Sequence, residues 1–297
     1  MITTFDAIDG TTLAYRTVGV GDPLVCLPGG PMRDSAYLGD LGGLGAHRTL
    51  VILDPRGTGR SAAPADVSTY RCDRMVDDVE ALRGHLGLDR LDLLGHSAGA
   101  NLALQYLTRH PDRVGRLALV NPSIRAVGLK VTAAQRQEVT EARAGEPWFP
   151  VAMAALESIL SGRAGPDSKQ EIAPFLYGRW DTAAQVHQAA ESGQHNEELA
   201  RIFSSEGAFD PPTTRAALAA HRGPVLLLAG AVDLAAPPGL VAQFAELAPR
   251  AELVVQPGAG HYPWLDDAEA FTATVAAFLA GPDGLESPPG GDARVGA

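Results

Sequence analysis

The sequence predicts an α/β fold: a mostly parallel central sheet with flanking helices and an inserted helical cap. Three observations point there. Short apolar runs alternate with amphipathic segments up to about residue 123, and strands alternating with helices make a parallel sheet with right-handed crossovers. The alternation stops over 124–212, which reads as helix, and resumes from 213. Finally, the run Leu91-Asp-Leu-Leu-Gly95-His96-Ser97-Ala98-Gly99 begins at strand spacing, and Leu102, Leu104 and Leu107 continue it at helical spacing.

Each element has a local signal. Residues 3–8 and 12–18 read as strands joined at Asp9-Gly10, a hairpin-turn pair. The apolar run 24–27, with Cys26 inside it, reads as a buried strand followed by Pro28-Gly-Gly-Pro31. Strand 49–53 ends at Asp54-Pro-Arg-Gly-Thr-Gly-Arg-Ser61, and 74–86 has helical spacing. Strand 91–94, helix 98–110 and strand 117–120 follow. Residues 124–212 then form the expected cap, broken at Gly145, Gly162, Gly165-Pro166, Pro174 and Pro211-Pro212. The sheet resumes with 225–229 and 251–255, and helix 267–280 closes it. The core is thus expected at 1–123 and 213–280, the cap at 124–212, and a disordered Gly/Pro-rich tail at 281–297.

Composition narrows the function. A chain of 297 residues can bury a large core. Its formal charge of −11 argues against nucleic acid or an anionic membrane surface as partner, since both select basic patches. Two cysteines supply neither a disulfide framework nor a metal cluster. The N-terminus lacks a charged n-region and an apolar h-region, so a cytoplasmic protein without a membrane span is expected. No metal or cofactor is implied. The expected partner is a small-molecule substrate, and nothing in one chain specifies an oligomeric state.

The chemistry gathers in loops that follow strands, where open α/β sheets place ligands. A serine between flanking glycines on a strand-to-helix turn is a candidate nucleophile, and the turn strains the backbone at Ser97. Asp233 follows the strand 225–229, and His261 follows 251–255 after Gly258-Ala-Gly260. A serine hydroxyl needs an adjacent base, which His261 supplies; Asp233 would fix the imidazole tautomer. Asn121, after strand 117–120, occupies another position where an acid could serve, and as an amide it favours Asp233. Two backbone N–H groups must face the developing oxyanion. Ala98 and Gly30 are the candidates, one just after the nucleophile and one in the glycine loop. Pro31, His96, Trp180 and Tyr262 are the candidate pocket residues. The Asp54–Ser61 loop is expected to brace the site. His47, His85, His110, His187, His195 and His221 have no comparable setting and read as surface or helix residues.

Over residues 1–280 the chain resembles the α/β-hydrolase superfamily. Within it, the stretches Leu27-Pro-Gly-Gly-Pro31, Asp54-Pro-Arg-Gly-Thr-Gly-Arg-Ser61, Asp77–Gly87 and His110-Pro-Asp-Arg-Val114 are similar to the proline iminopeptidase-like branch. The resemblance implies a helical cap, a Ser97/Asp233/His261 triad and no cofactor. Two departures stand out. Pro28 replaces that branch's histidine, and Gly-His-Ser-Ala-Gly replaces its usual Gly-Gly-Ser-Trp-Gly. The expected function is a serine hydrolase cleaving an ester, thioester, lactone or amide of a small, largely apolar substrate through an acyl-enzyme. The alternatives are an aminopeptidase of the iminopeptidase kind, and an acyltransferase, cyclase or binding protein on the same fold.

Overall fold

Eight strands form one sheet: β1 (Ile2–Asp6), β2 (Thr12–Val18), β3 (Pro23–Leu27), β4 (Thr49–Asp54), β5 (Leu91–His96), β6 (Val114–Val120), β7 (Val225–Gly230) and β8 (Ala251–Gln256). This architecture is that of a computed structural model that describes residues 1–281. The tail expected to be disordered lies outside the described residues, apart from Gly281. The strand order is β1-β2-β4-β3-β5-β6-β7-β8. β1 and β2 pair antiparallel, as do β2 and β4, and every other pair is parallel. The α/β fold with a mostly parallel sheet is therefore present as the sequence predicts.

Helices α1 (Val76–His85) and α2 (Ala98–Arg109) flank the first half of the sheet. The next six α-helices after β6 are α3 (Ala133–Glu141), α4 (Phe149–Leu160), α5 (Ser168–Ile172), α6 (Thr182–Ala189), α7 (Glu191–Gln194) and α8 (Glu197–Phe203). α9 (Pro211–Ala220) packs on α2, and α10 (Pro238–Ala245), which no sequence signal singled out, packs on β7 and β8. α11 (Pro263–Asp266) and α12 (Ala268–Ala280) complete the second face.

Burial follows the period of two along each strand. In β7, Val225, Leu227 and Ala229 join the core on one face, with α2, Leu218 of α9 and Phe244 of α10. Leu226 and Leu228 join the core on the other face, with Phe271, Val275 and Leu279 of α12. Cys26 of β3 is buried there too. The inserted helices carry a small core of their own, in which Trp148 and Phe149 pack on Phe175 at 5.0 and 6.0 Å between ring centroids.

The turn between β5 and α2 is where the sheet and helix meet most closely. Ser97 has φ 51° and ψ −118°, a backbone few non-glycine residues adopt. A Cβ on Gly99 would lie 2.1 Å from the Leu27 carbonyl oxygen, and one on Gly95 would lie 2.8 Å from Ala100 Cα. The flanking glycines are therefore required by backbone approach on both sides of the serine.

The loop after β4 is tied down by a buried ion pair. Arg56 and Asp78 side chains are 3% and 2% exposed. Arg56 Nε donates to Asp78 Oδ2 at 2.7 Å, and its Nη1 reaches Asp9 and Thr69 at 2.9 and 2.6 Å. Breaking such a pair leaves a buried charge without compensation. Asp78→Ala is expected to cost about 3–5 kcal/mol in urea unfolding. Asp77→Ala, which breaks the exposed pair with Arg109, should stay within about 1 kcal/mol. Equal losses for the two variants would show that the brace contributes nothing beyond a surface pair.

Candidate active site

The loops that carry Ser97, Asp233 and His261 leave the same sheet edge because β5, β7 and β8 run parallel. Asp233 is 0% exposed. Its Oδ2 accepts from His261 Nδ1 at 2.7 Å and from Asn121 Nδ2 at 2.6 Å, and its Oδ1 accepts from the Ala235 N–H at 2.8 Å. Burial by itself would raise the pKa of this carboxyl. The nearby His261 and the hydrogen bonds from His261, Asn121 and Ala235 outweigh burial and hold it below the usual carboxylate range. Asp233 is thus an anion when His261 is neutral, and it fixes the proton on Nδ1. Nε2 is left without a hydrogen-bond partner among the described residues.

Ser97 is partly exposed, and its Oγ makes no hydrogen bond among the described residues. The backbone of Ser97 is held firmly: its N–H donates to Val120 and its carbonyl accepts from Ser123, both at 3.0 Å.

The glycine loop after β3 lies directly against the serine. A Cβ on Gly29 would be 2.7 Å from Ser97 Cβ and 3.2 Å from the Ala98 nitrogen. The Gly29 N–H is engaged, donating to Tyr37 Oη at 2.6 Å. The N–H groups of Gly30 and Ala98 have no acceptor among the described residues, and Gly30 itself is exposed. Two free N–H donors beside one hydroxyl are what an oxyanion needs.

His96 is not a pocket residue. It is 1% exposed, enclosed by Tyr37, Tyr262, Trp264 and His261. Its Nε2 lies 2.8 Å from the His261 carbonyl, which can only accept, so Nε2 carries the proton. Its Nδ1 therefore accepts from Tyr37 Oη at 2.7 Å. Burial, then repulsion from His261, holds the His96 pKa well below the usual histidine range, so the ring is neutral. A continuous chain runs Gly29 N–H to Tyr37 to His96 to the His261 carbonyl. It ties the glycine loop, the nucleophile turn and the histidine loop together.

Tyr262 and Trp180 also leave the expected pocket. Tyr262 is buried, and its hydroxyl accepts from Arg33 Nη1 at 3.3 Å; burial pushes its pKa up to about 12. Trp180 packs against Tyr177 at 5.3 Å. Pro31 does line a cavity, of about 420 Å³, together with Ala98, Asn101 and Ser123 at the nucleophile turn. Its outer wall carries Arg125, Lys169, His195, Glu197 and Arg201. The cavity is therefore lined mainly by polar residues, whereas the expected substrate is largely apolar. None of the seven aromatics of 124–212 lines it, because they pack into the cores.

Arg33 carried no sequence signal. It is 2% exposed, donates to Gln194 Oε1 at 3.0 and 2.9 Å and to the His187 carbonyl at 3.3 Å, and lies 4.4 Å from the Tyr37 ring centroid. Asp34 N–H donates to the Gln194 carbonyl at 2.8 Å, and Arg33 bridges His195 as an isolated antiparallel pair. The glycine loop is thereby stitched to α6 and α7. His187, on α6, is half-buried in this network: its Nε2 donates to the Tyr37 carbonyl at 3.2 Å, and its Nδ1 accepts from Tyr177 Oη at 2.8 Å. Among the described residues no group of three or more His, Cys, Asp or Glu could hold a metal ion, and no helix is long and apolar enough to cross a membrane.

Comparison with known proteins agrees with this fold. A family model described as alpha/beta hydrolase fold matches residues 22–268. An N-formylmaleamate deformylase from Pseudomonas putida is 27% identical over 268 residues, 89% of this chain and 91% of that protein. A proline iminopeptidase from Levilactobacillus brevis is 28% identical over 289 residues, 91% of this chain and 93% of that protein. Among solved structures, an esterase from Exiguobacterium antarcticum superposes with a TM-score of 0.71 at 22% identity, covering 95% of this chain and all of that one.

Two outcomes test the buried network. Tyr37→Phe leaves the Gly29 N–H and His96 Nδ1 without their partner, and should cost about 1–3 kcal/mol of stability; an unchanged urea midpoint would show the chain to be slack. Burial, then Arg33, lowers the His187 pKa to about 4. The native state therefore excludes a proton that the unfolded chain binds below about pH 6.5. That stability is fully present above pH 6.5 and is lost as pH falls towards 4, by at most about 1.4 kcal/mol per pH unit. His187→Gln should flatten this slope between pH 6.5 and 5, and parallel slopes for variant and wild type would contradict the assignment.

Proposed function

The chain belongs to the alpha/beta hydrolase fold family, and we propose that it is a serine hydrolase that cleaves an ester, thioester, lactone or amide of a small substrate through an acyl-enzyme on Ser97. The family makes it a hydrolytic enzyme; the bond and the residues are our reading. The observation that carries it is the Asp233–His261 hydrogen bond at 2.7 Å on the sheet edge that also bears a strained Ser97, with the N–H groups of Gly30 and Ala98 free of acceptors among the described residues.

In this mechanism the substrate carbonyl enters between Ser97 and the N–H groups of Gly30 and Ala98. His261 Nε2 takes the Ser97 proton as Oγ bonds to the carbonyl carbon. The oxygen becomes an oxyanion held by the two N–H donors, and Asp233 stabilises the imidazolium. His261 then gives its proton to the leaving group as the C–X bond breaks. Water, deprotonated by His261, releases the acid and regenerates Ser97. Asn121 is a positioning residue here, since it holds Asp233 and not the substrate.

The aminopeptidase reading draws on the similarity to proline iminopeptidases. That chemistry needs free carboxylates near Ser97 to hold an α-ammonium. The cavity carries one carboxylate, Glu197, and it is paired with Lys169. The balance of charge supports the ester or amide reading over the aminopeptidase.

Ser97→Ala should lose all labelling by a fluorophosphonate probe and all turnover of 4-nitrophenyl acetate while keeping its unfolding midpoint within about 1 kcal/mol. Asp233→Asn should lower kcat by about 10⁴ because the wrong tautomer is favoured. Full turnover in Ser97→Ala would end the proposal.

A further inference from the structure

We propose that the substrate carries a carboxylate besides the bond that is cleaved, and that Arg125 and Arg201 hold it in the cavity beside Ser97. The inference rests on the reading of Ser97 as nucleophile and adds the substrate class.

The first support is charge. The chain as a whole is strongly acidic, at −11. Yet the cavity lined by Ala98, next to Ser97 in the chain, is walled by Arg125, Lys169 and Arg201 against the single carboxylate of Glu197. Lys169 and Glu197 satisfy each other in an ion pair. Arg125 forms no side-chain hydrogen bond or ion pair among the described residues, and Arg201 reaches only the Glu197 backbone carbonyl, at 3.3 Å. Neither guanidinium group forms an ion pair among the described residues, although Arg201 lies near enough to favour the charged form of Glu197, behind Lys169 in effect.

The second support is unsatisfied polarity. His195 lines the same cavity, and its buried Nε2 has no hydrogen-bond partner among the described residues. Behind it, Arg33 is buried among neutral acceptors and forms no ion pair among the described residues. A buried cation compensated by neutral groups keeps a positive potential on its surroundings. Guanidinium groups bind carboxylates through paired N–H donors, so the missing partner has the chemistry of a carboxylate.

The cavity volume, about 420 Å³, is in the range used by small molecules. It extends from Ala98 and Pro31 at the nucleophile turn to the cations on the loop after β6 and on α5 and α8. One substrate can therefore place its carbonyl at Ser97 and its carboxylate at the arginines.

The test compares two esters that differ only in charge: mono-4-nitrophenyl adipate, with a free carboxylate, and its methyl ester. Wild type should favour the acid in kcat/KM by about tenfold or more, the worth of one charge-assisted hydrogen bond. Arg125→Gln/Arg201→Gln should reduce that preference about tenfold, chiefly through KM, and salt at about 0.5 M should reduce it in wild type. A preference at or below one, or one that the double substitution does not move, overturns the inference. A reading independent of turnover is protection of Ser97 from the fluorophosphonate probe. Adipate should slow labelling more than neutral adipamide, and equal protection counts against a carboxylate site. Labelling of Ser97 without any preference for the acid defeats this inference alone, whereas absence of labelling defeats the hydrolase reading on which it rests.

Discussion

The site depends on one buried neutral imidazole. His96 accepts from Tyr37 and donates to the His261 carbonyl, and Tyr37 in turn accepts from the Gly29 N–H. Three loops from different parts of the chain meet on a single side chain. The arrangement works only with an uncharged ring, because each nitrogen must play a different role. Burial among Tyr37, Tyr262 and Trp264 removes the solvent that would favour the charged form. Packing therefore sets the protonation state, and the protonation state sets the geometry of the loops that carry the reacting groups.

Around that centre the polar groups divide by task. Asp233 is fully buried and triply hydrogen-bonded, so its charge is committed to His261. Arg33 is equally buried but has only neutral acceptors, and it joins the glycine loop to α6 and α7. The cations of the cavity wall are exposed and only partly paired. The buried charges of Asp233 and Arg33 hold loops in place, and Arg125 and Arg201 line the cavity.

Much of this was legible in the sequence where the determinants are local. Gly95 and Gly99 flank Ser97 at the only spacing that lets a strand turn into a helix this tightly, and the near contacts with Ala100 and Leu27 show why. Loops following apolar runs located Asp233 and His261 because parallel strands deliver their following loops to one edge. Other assignments failed for a common reason. His96 and Tyr262 neighbour the nucleophile and the base in sequence, yet point into the aromatic core. His187 sits on a short helix with no unusual pattern, and its burial comes from Tyr37 and Tyr177, which are remote or on another element. Asn121 was noticed as an amide in a place for an acid; its bond to Asp233 needed two strands to be neighbours.

The sequence alone determined the α/β class, the strained serine turn and the loops from which an acid and a base could come, because each rests on residues within one strand–turn segment. Only the tertiary structure decided which side chains face the cavity and which face the core. It shows a cavity walled by Arg125, Lys169 and Arg201, because the aromatics of 124–212 are consumed by packing.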